Sequence, residues 1–239
     1  MERGGRVPAA HEARGIGTLQ ERSLHAELKR WYARPGDRFE VAVEGSIVDL
    51  VRGDLLVEFQ TGGFSAIRGK LARLLRRHSV RLVHPIAAEK TIVKTTAGGA
   101  VLERRRSPKR GSIDDLYREL VSLADLLAHP RFSVEALFVR VEETRSDDGR
   151  GSWRRGGWTV CDQRLLEVVG SVVLASPEDL AAMLPDRLPS PFTTRDLADS
   201  LGKPLSVAQK MAYCLRESGS ISREGKRGNS ILYVKEPDR

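Results

Sequence analysis

Cysteine is scarce in this chain of 239 residues, which contains only Cys161 and Cys214, far apart and without CxxC spacing. This excludes a disulfide framework and a cysteine-based zinc cluster. Long apolar runs are also missing: no segment approaches about 18 consecutive apolar residues, and the polar N-terminus lacks the apolar region of a signal peptide. These absences predict a cytoplasmic protein without a membrane-spanning segment.

Aromatic side chains are few as well, at 5% of the residues, so the core must be built mainly from Leu, Val, Ile and Ala. Charge is plentiful but unbalanced, with 40 Lys and Arg against 32 Asp and Glu, a formal net charge of +8. Such a balance favours polyanionic partners, above all nucleic acid. No basic amphipathic anchor helix is evident, so we do not expect a membrane partner.

The first hundred residues separate into a tail and a compact block. Residues 1–14, rich in Gly, Arg and Ala, predict a disordered tail. Residues 15–97 follow the order helix, three strands, helix, strand, judged from the spacing of apolar residues and from Pro and Gly breaks. The strands of this order are predicted at 39–43, 46–51, 55–61 and 80–86, with another strand at 91–94, and the second helix, strongly basic, at 64–78.

Two carboxylates are expected to meet across a hairpin in this block. If Gly53-Asp54 is a two-residue loop, paired residue numbers sum to 107, and Asp49 lies directly opposite Glu58 on one face of the sheet. Gln60 lies two residues from Glu58 and shares that face. Two opposed carboxylates repel, so a hard divalent cation such as Mg²⁺ or Mn²⁺ is expected between them. A three-residue loop would offset the pair, and a hairpin whose polar face merely meets water remains an alternative.

Asp49, eight intervening residues and Glu58-Phe59-Gln60 resemble the D-x(8)-E-x-K/Q signature of PD-(D/E)XK nucleases. The resemblance covers residues 15–94 and implies a restriction-endonuclease-like αβββαβ core with a mixed sheet. It implies that Asp49, Glu58 and the carbonyl of Phe59 hold the metal. It also implies a catalytic glutamate on the first helix, for which Glu21 is the best match and Glu27 the second.

The usual lysine of that signature is Gln60 here, which cannot supply a positive charge. Gln60 could still orient an attacking water, or Lys70 or Arg68 on the next helix could reach into the site. That helix carries further basic residues that suit a phosphate backbone. The candidate phosphate contacts on it are Arg68, Arg73, Arg76 and Arg77.

The segment that follows is less informative. Residues 98–112 contain a cluster of basic residues and predict an exposed linker. Residues 113–188 predict an α+β middle region with a helix at 114–127 capped by Ser112, two strand-like runs and a short helix begun by Ser176. A basic loop between the strands, with Arg154 and Arg155 beside two tryptophans, either grips nucleic acid or is a mobile hairpin tip.

Residues 189–239 resemble a winged-helix domain, with a capped helix, a turn, a second helix capped by Ser206, and a two-stranded hairpin at 221–235. The resemblance implies that the second helix reads the major groove through Ser206, Gln209 and Lys210. It places Lys226 and Arg227 at the tip of the wing, near phosphate or minor groove. Since many winged helices bind proteins instead, a protein contact remains an alternative.

These features predict an α/β protein that is a Mg²⁺- or Mn²⁺-dependent DNA endonuclease targeted by a winged helix. A non-catalytic DNA-binding regulator on a degenerate nuclease scaffold is the first alternative. A protein that uses the same basic surface for RNA or for another partner is the second. Double-strand cleavage usually needs two sites, so a homodimer is expected if the enzyme cuts both strands.

Overall fold

A computed structural model describes residues 22–148, 151 and 156–237. Its main feature is one large, open sheet of mixed strand direction, which confirms the predicted α/β class. Across the sheet the strand order is β1-β2-β3-β4-β6-β7, and β5 also pairs with β4. The strands are β1 (Arg38–Val43), β2 (Ser46–Arg52), β3 (Leu55–Phe59), β4 (Ser79–Thr95), β5 (Val101–Arg106), β6 (Phe132–Ser146) and β7 (Thr159–Leu174).

The first three strands form an antiparallel meander, whereas β3 and β4 run parallel. A parallel connection needs a crossover. A 3₁₀ turn at Phe64–Ile67 and helix α2 (Arg68–Leu74) supply it. The strand β6 is again parallel to β4, and β7 returns antiparallel to β6.

Two helices cover opposite faces of the sheet. Helix α1 (Arg22–Tyr32) buries Leu24 and Leu28 in a cluster that includes Val57 and Phe59 of β3. Helix α2 packs into a separate cluster on the other face, together with Leu56 of β3. The alternation of β3 residues between the two clusters follows from the two-residue period of a strand. The helix α2 is shorter than predicted, since 3₁₀ geometry takes the first turn.

The middle of the chain extends this same sheet rather than forming a separate layer. The strand β6 pairs with β4 over nearly its whole length, from Val80↔Phe132 to Thr95↔Ser146. Residues 101–106, which the sequence assigned to a linker, form β5, whose side chains are largely exposed. The sequence of β5 lacks the alternation of apolar and polar residues that reveals a strand, because neither of its faces is buried. The sequence boundaries at 97 and 112 therefore do not separate two sheets.

The helices after β5 begin as their capping residues predict. Ser112 forms a capping box with Asp115, and Ser176 forms one with Asp179. The helix predicted at 114–127 is a succession of short turns: 3₁₀ at Ile113–Leu116, α3 (Tyr117–Leu120), and 3₁₀ at Val121–Leu126. After β7 comes the short helix α4 (Pro177–Ala181).

The C-terminal module consists of α5 (Thr194–Leu201), α6 (Leu205–Glu217) and the hairpin β8 (Ile221–Arg227) and β9 (Ser230–Lys235). Its core is continuous with that of the sheet, because Met211 and Leu215 of α6 share one buried cluster with Leu120. Ser206 does not cap α6. The helix begins at Leu205, one residue before Ser206, and Pro204 occupies the N-cap position. Among the described residues, no helix has both the length and the apolar content to cross a membrane.

Candidate active site

The hairpin β2–β3 has the register that the sequence predicts. Arg52 pairs with Leu55, and the ladder ends at Leu50↔Val57. Asp49 and Glu58 are thus the first residues beyond the last pair, where the two strands begin to separate. The backbone N–H of Phe59 donates a hydrogen bond of 2.9 Å to Oδ2 of Asp49, which keeps the two motif segments together.

Asp49 is held by donors from helix α1. The Nζ of Lys29 lies 3.2 Å from Oδ1, and Nε2 of His25 lies 3.3 Å from Oδ2. Burial on its own would raise the pKa of Asp49. The hydrogen bonds from His25 and the Phe59 N–H, with the charges of His25 and Lys29, prevail and lower this pKa to about 2. Asp49 is therefore ionised across the physiological range.

Glu58 has the opposite environment. Its side chain is only 6% exposed, and Nζ of Lys70 on α2 lies 2.6 Å from Oε1. Lys70 directs a hydrogen bond to the carbonyl of Ile47, and Oε1 of Glu58 receives no hydrogen bond of good geometry. Burial raises the pKa of Glu58 to about 7, although the Lys70 ammonium lowers it. At neutral pH this carboxylate is poised between its two protonation states.

The two carboxylates take their side-chain partners from helices on opposite faces of the sheet, which corrects the expectation of one shared face, but the charge and the backbone N–H of Asp49 still act on Glu58. Asp49 takes its partners from α1, while Glu58 takes its partner from α2 on the other face of the sheet. The cause is an irregularity in β2. Val48 and Val51 both pack with α2, and the intervening Leu50 packs with α1, so strict alternation fails at Asp49.

The neighbouring strand shows the same irregularity. Glu40 of β1 adopts a left-handed backbone conformation, with φ of 52°, at the position that would face Asp49. The β1–β2 ladder passes from Phe39↔Leu50 to Val41↔Val48 without this pair. Such a local kink re-aims a side chain, as β-bulges do. Glu40 also pairs with Lys29, which adds a second acidic partner for that lysine.

Gln60 does not point its amide at the carboxylates. Its Nε2 donates to the carbonyl of Gly62, and its backbone N–H donates to the carbonyl of Val83 at 2.9 Å. Its own carbonyl accepts a hydrogen bond of 2.7 Å from Nδ1 of His84. Lys70, one of the two replacements that the sequence offered, does reach the site, whereas Arg68 is paired with Asp125.

The donor set for a metal is small. Glu21, the predicted helical ligand, lies outside the described residues, and Glu27 accepts the backbone N–H of Leu165 at 2.6 Å. Within the described ranges, no group of three or more His, Cys, Asp or Glu side chains is arranged to hold an ion. Asp49, Glu58 and the Phe59 carbonyl remain, all oxygen donors of the kind that Mg²⁺ prefers.

The predicted phosphate contacts of α2 fall into two groups. Arg73 turns to the hydroxyl of Ser46 and Arg68 to Asp125, so both are committed within the fold. Arg76 and Arg77, just after the helix, are exposed and remain available to a polyanion, although Arg77 lies 3.5 Å from Glu44. Arg154 and Arg155 lie outside the described residues.

A second basic surface lies between α6 and the β8–β9 hairpin, around a groove of about 470 Å³. Of the predicted readers, Gln209 lines it and Ser206 is exposed, but Nζ of Lys210 turns inward to the carbonyl of Arg118. Lys226 is exposed on β8, and Arg227 is paired with Asp196. The groove is also lined by residues that the sequence analysis did not select: Arg195, Tyr213, Arg216, Arg223 and Asn229.

His25 and Lys29 are the residues of the first site that sequence reasoning missed. Their spacing of four residues places them on one face of α1, which is a signal that could have been used. This face of α1 lies against Asp49 because the alternation of side chains in β2 fails at that residue. The spacing of apolar residues does not reveal this failure.

Comparisons with known proteins agree with the extent of the sheet. A family model described as "Domain of unknown function (DUF8091)" matches residues 22–175, from α1 to the end of β7. A protein of Treponema pallidum (strain Nichols), described as "Uncharacterized protein", is 35% identical over 223 residues, which are 93% of this chain and 88% of that protein. No solved structure matches the chain. The chain therefore belongs to the family described as "Domain of unknown function (DUF8091)".

Proposed function

We propose that this protein is a metal-dependent DNA endonuclease of the PD-(D/E)XK type, with a winged-helix module for DNA binding. The observation that carries the proposal is Glu58. Its carboxylate is buried, its Oε1 has no well-aligned hydrogen-bond donor, its pKa is raised to about 7, and it follows the last hairpin pair beside Asp49. Strongly perturbed acids of this kind concentrate at functional sites.

The surrounding topology supports the same assignment. The order α1-β1-β2-β3-α2-β4 and the mixed direction of the strands are compatible with the αβββαβ core that the resemblance implies. The motif residues Asp49 and Glu58 lie on β2 and β3 of that core. Fold alone does not fix an activity, so the proposal depends on the carboxylates rather than on the topology.

A divalent ion would be held by Asp49, Glu58 and the carbonyl of Phe59. Such an ion, when bound, supplies Lewis-acid activation of water and neutralises charge on the phosphate. Asp49 would exchange its bonds to His25 or Lys29 for the ion, and Glu58 would be held in its ionised form. Lys70 would then be free to donate to a phosphate oxygen, in place of the lysine that Gln60 replaces.

Incubation of plasmid DNA with the full chain tests the proposal. Cleavage should appear with Mg²⁺ or Mn²⁺ and disappear with EDTA. The absence of cleavage with either ion, together with tight binding that weakens with salt, would instead favour a non-catalytic DNA-binding protein. One observation favours this second function: the carboxylate of Asp49 already has three hydrogen-bond donors. A parallel assay with single-stranded RNA separates DNA from RNA as the substrate.

We further propose that DNA lies in the groove between α6 and the wing. Gln209 and Tyr213, one helical turn apart, face the groove from α6, and Arg195 and Arg223 line its sides. Replacing Arg223 with glutamate should weaken DNA binding by roughly tenfold and reduce the slope of log K against log salt by about one, because one phosphate contact is lost.

Fluorescence anisotropy with a labelled duplex at several salt concentrations measures both quantities. Arg38→Glu is the matched control, since Arg38 is an exposed arginine of β1 outside the groove. Equal losses in the two variants would mean that only the net charge matters, and the groove assignment would be withdrawn.

A further inference from the structure

A cavity of about 560 Å³ opens on the α2 side of the sheet, next to the motif but separate from the carboxylates. Thr61, directly after the motif, and His84 of β4 form one end, and Lys90 and Arg145 line another part. Its volume is within the range of roughly 300–1,000 Å³ typical of small-molecule sites. Neither the family match nor the proposed cleavage chemistry uses it.

The cations of this cavity are held in place by a buried carboxylate. Glu143, only 3% exposed, accepts from Nζ of Lys90 at 2.5 Å, from Nε of Arg145 at 2.8 Å and from Nε2 of Gln163 at 2.8 Å. Burial would raise the pKa of Glu143, but these partners lower it, so it remains ionised. Charged groups oriented in advance lose less entropy when a ligand binds.

The positive charge exceeds the negative charge around the cavity. Lys109 and Arg118 add to Lys90 and Arg145, while the acidic lining residues are only Asp115 and Glu143. Asp115 is shared between Arg118 and Lys203, and Glu143 between Lys90 and Arg145. No ion pair involves Lys109 among the described residues, and its side chain is exposed. The cavity therefore favours an anion.

The opposite end offers a hydrogen-bond acceptor. Burial lowers the pKa of His84, so the imidazole is neutral at pH 7. Because the carbonyl of Gln60 can only accept, Nδ1 of His84 carries the proton and Nε2 is left as an acceptor. The apolar side chains of Pro85, Ile86 and Leu116 also line the cavity.

The wall near Lys109 requires a glycine. Gly111 donates its backbone N–H to the carbonyl of Ala87 at 2.8 Å, which brings the segment after β5 against β4. A Cβ at this position would lie 2.8 Å from Cγ2 of Ile86, closer than atoms tolerate. This close approach, with the hydrogen bond from the backbone N–H of Ser107 to the carbonyl of Lys90, holds the segment that contains Lys109 against β4.

We infer that this cavity binds a nucleoside monophosphate unit, with its phosphate at Lys90, Arg145 and Lys109 and a hydroxyl or amino group donating to His84. The unit could be a free mononucleotide or the 5′-phosphorylated end of a strand, since both present the same chemistry. Binding does not require cleavage at Asp49 and Glu58, so the inference stands or falls independently of the proposed function.

Isothermal titration calorimetry with the full chain tests it, with the Glu58→Gln variant in parallel to remove any contribution of the motif site. Nucleoside monophosphates and a 5′-phosphorylated oligonucleotide are the probes, and the nucleosides and the 5′-hydroxyl oligonucleotide are their controls. The phosphorylated probes should bind at least about tenfold more tightly than their controls. The tighter of the two phosphorylated probes identifies the source of the ligand.

Lys109→Glu should weaken binding of the phosphorylated probes at least about tenfold, and Arg38→Glu should leave it unchanged. His84→Phe, which retains a ring against Phe64, should weaken nucleoside monophosphate binding but not inorganic phosphate binding. Circular dichroism confirms that each variant folds. No binding by the wild type up to millimolar ligand, or equal binding by Lys109→Glu, would overturn the inference.

Discussion

Replacing Glu58 with glutamine should reduce metal-dependent DNA cleavage by on the order of 100-fold or more, while DNA binding is retained. The substitution keeps the shape of the side chain but removes the charge that would hold the ion. Loss of an outer-shell partner alone commonly costs about 10–100-fold, so loss of a ligand should cost at least as much. Single-turnover cleavage with saturating enzyme measures the effect without a contribution from DNA affinity.

Glu135→Gln is the matched control. Glu135 is also a buried glutamate of this sheet, but it faces Tyr32, whose hydroxyl donates to it at 2.6 Å, on the α1 side. Its replacement should leave the cleavage rate within a few-fold of the wild type, once folding has been verified. If Glu58→Gln cleaves as fast as Glu135→Gln, the motif carboxylate has no part in catalysis and the nuclease assignment is wrong.

The position of Lys70 indicates which residue could take the place of the lysine that the nuclease signature has at the position of Gln60. Its ammonium lies 2.6 Å from Glu58 and is the nearest cation to that carboxylate on the α2 face. Gln60, in contrast, is bonded to the carbonyl of Gly62 and offers the site no charge. Under the proposed function, Lys70 from the next helix would supply the positive charge that Gln60 lacks.

Two features of the site could be predicted from the sequence: the register of the hairpin and the position of Lys70 near Glu58. The hairpin register followed from one two-residue loop, because a strand has a fixed period and Gly53-Asp54 leaves little choice of turn. The position of Lys70 near Glu58 was offered as an alternative on the basis of the helix that follows. Both are local consequences of backbone geometry.

The orientation of Asp49 could not be predicted in this way. It depends on the kink at Glu40 in another strand and on the packing of Val48 against α2, which are tertiary effects. The same limit applies to β5, whose charged sequence resembles a linker and which becomes a strand because β4 offers it a free edge. Propensity is a weak guide where tertiary pairing decides.

The second large effect concerns stability. Glu58→Gln should be more stable than the wild type at pH 8 by roughly 3 kcal/mol, because the folded protein raises the pKa of Glu58 from 4.5 to about 7 and each unit corresponds to about 1.4 kcal/mol. A carboxyl group whose pKa is raised by folding stabilises the folded state only at pH values at which it is protonated. Below about pH 4.5 Glu58 is protonated in both the folded and the unfolded wild type, so the wild type and Glu58→Gln should be equally stable.

Between about pH 4.5 and 7 the unfolded chain releases the Glu58 proton while the folded chain retains it, so the stability of the wild type falls as pH rises. Above about pH 7 the difference stays constant. For a chain of this size, roughly 3 kcal/mol corresponds to about 6–12 °C in Tm. Thermal unfolding of both proteins from pH 4 to pH 9, without divalent ions, measures the difference.

Mg²⁺ should reverse this difference, because an ion that binds the ionised carboxylate stabilises the folded state in proportion to its occupancy. At pH 8 the Tm of the wild type should rise with Mg²⁺ concentration, and the Tm of Glu58→Gln should not. Glu135→Gln should keep the wild-type response to Mg²⁺, since Glu135 bonds to Tyr32 and Arg81 and is not among the proposed ligands of the ion, although Tyr32 packs on the ring of Phe59. If Glu58→Gln is no more stable than the wild type at pH 8, ionised Glu58 does not destabilise the folded protein. The main support for a cation site would then be lost.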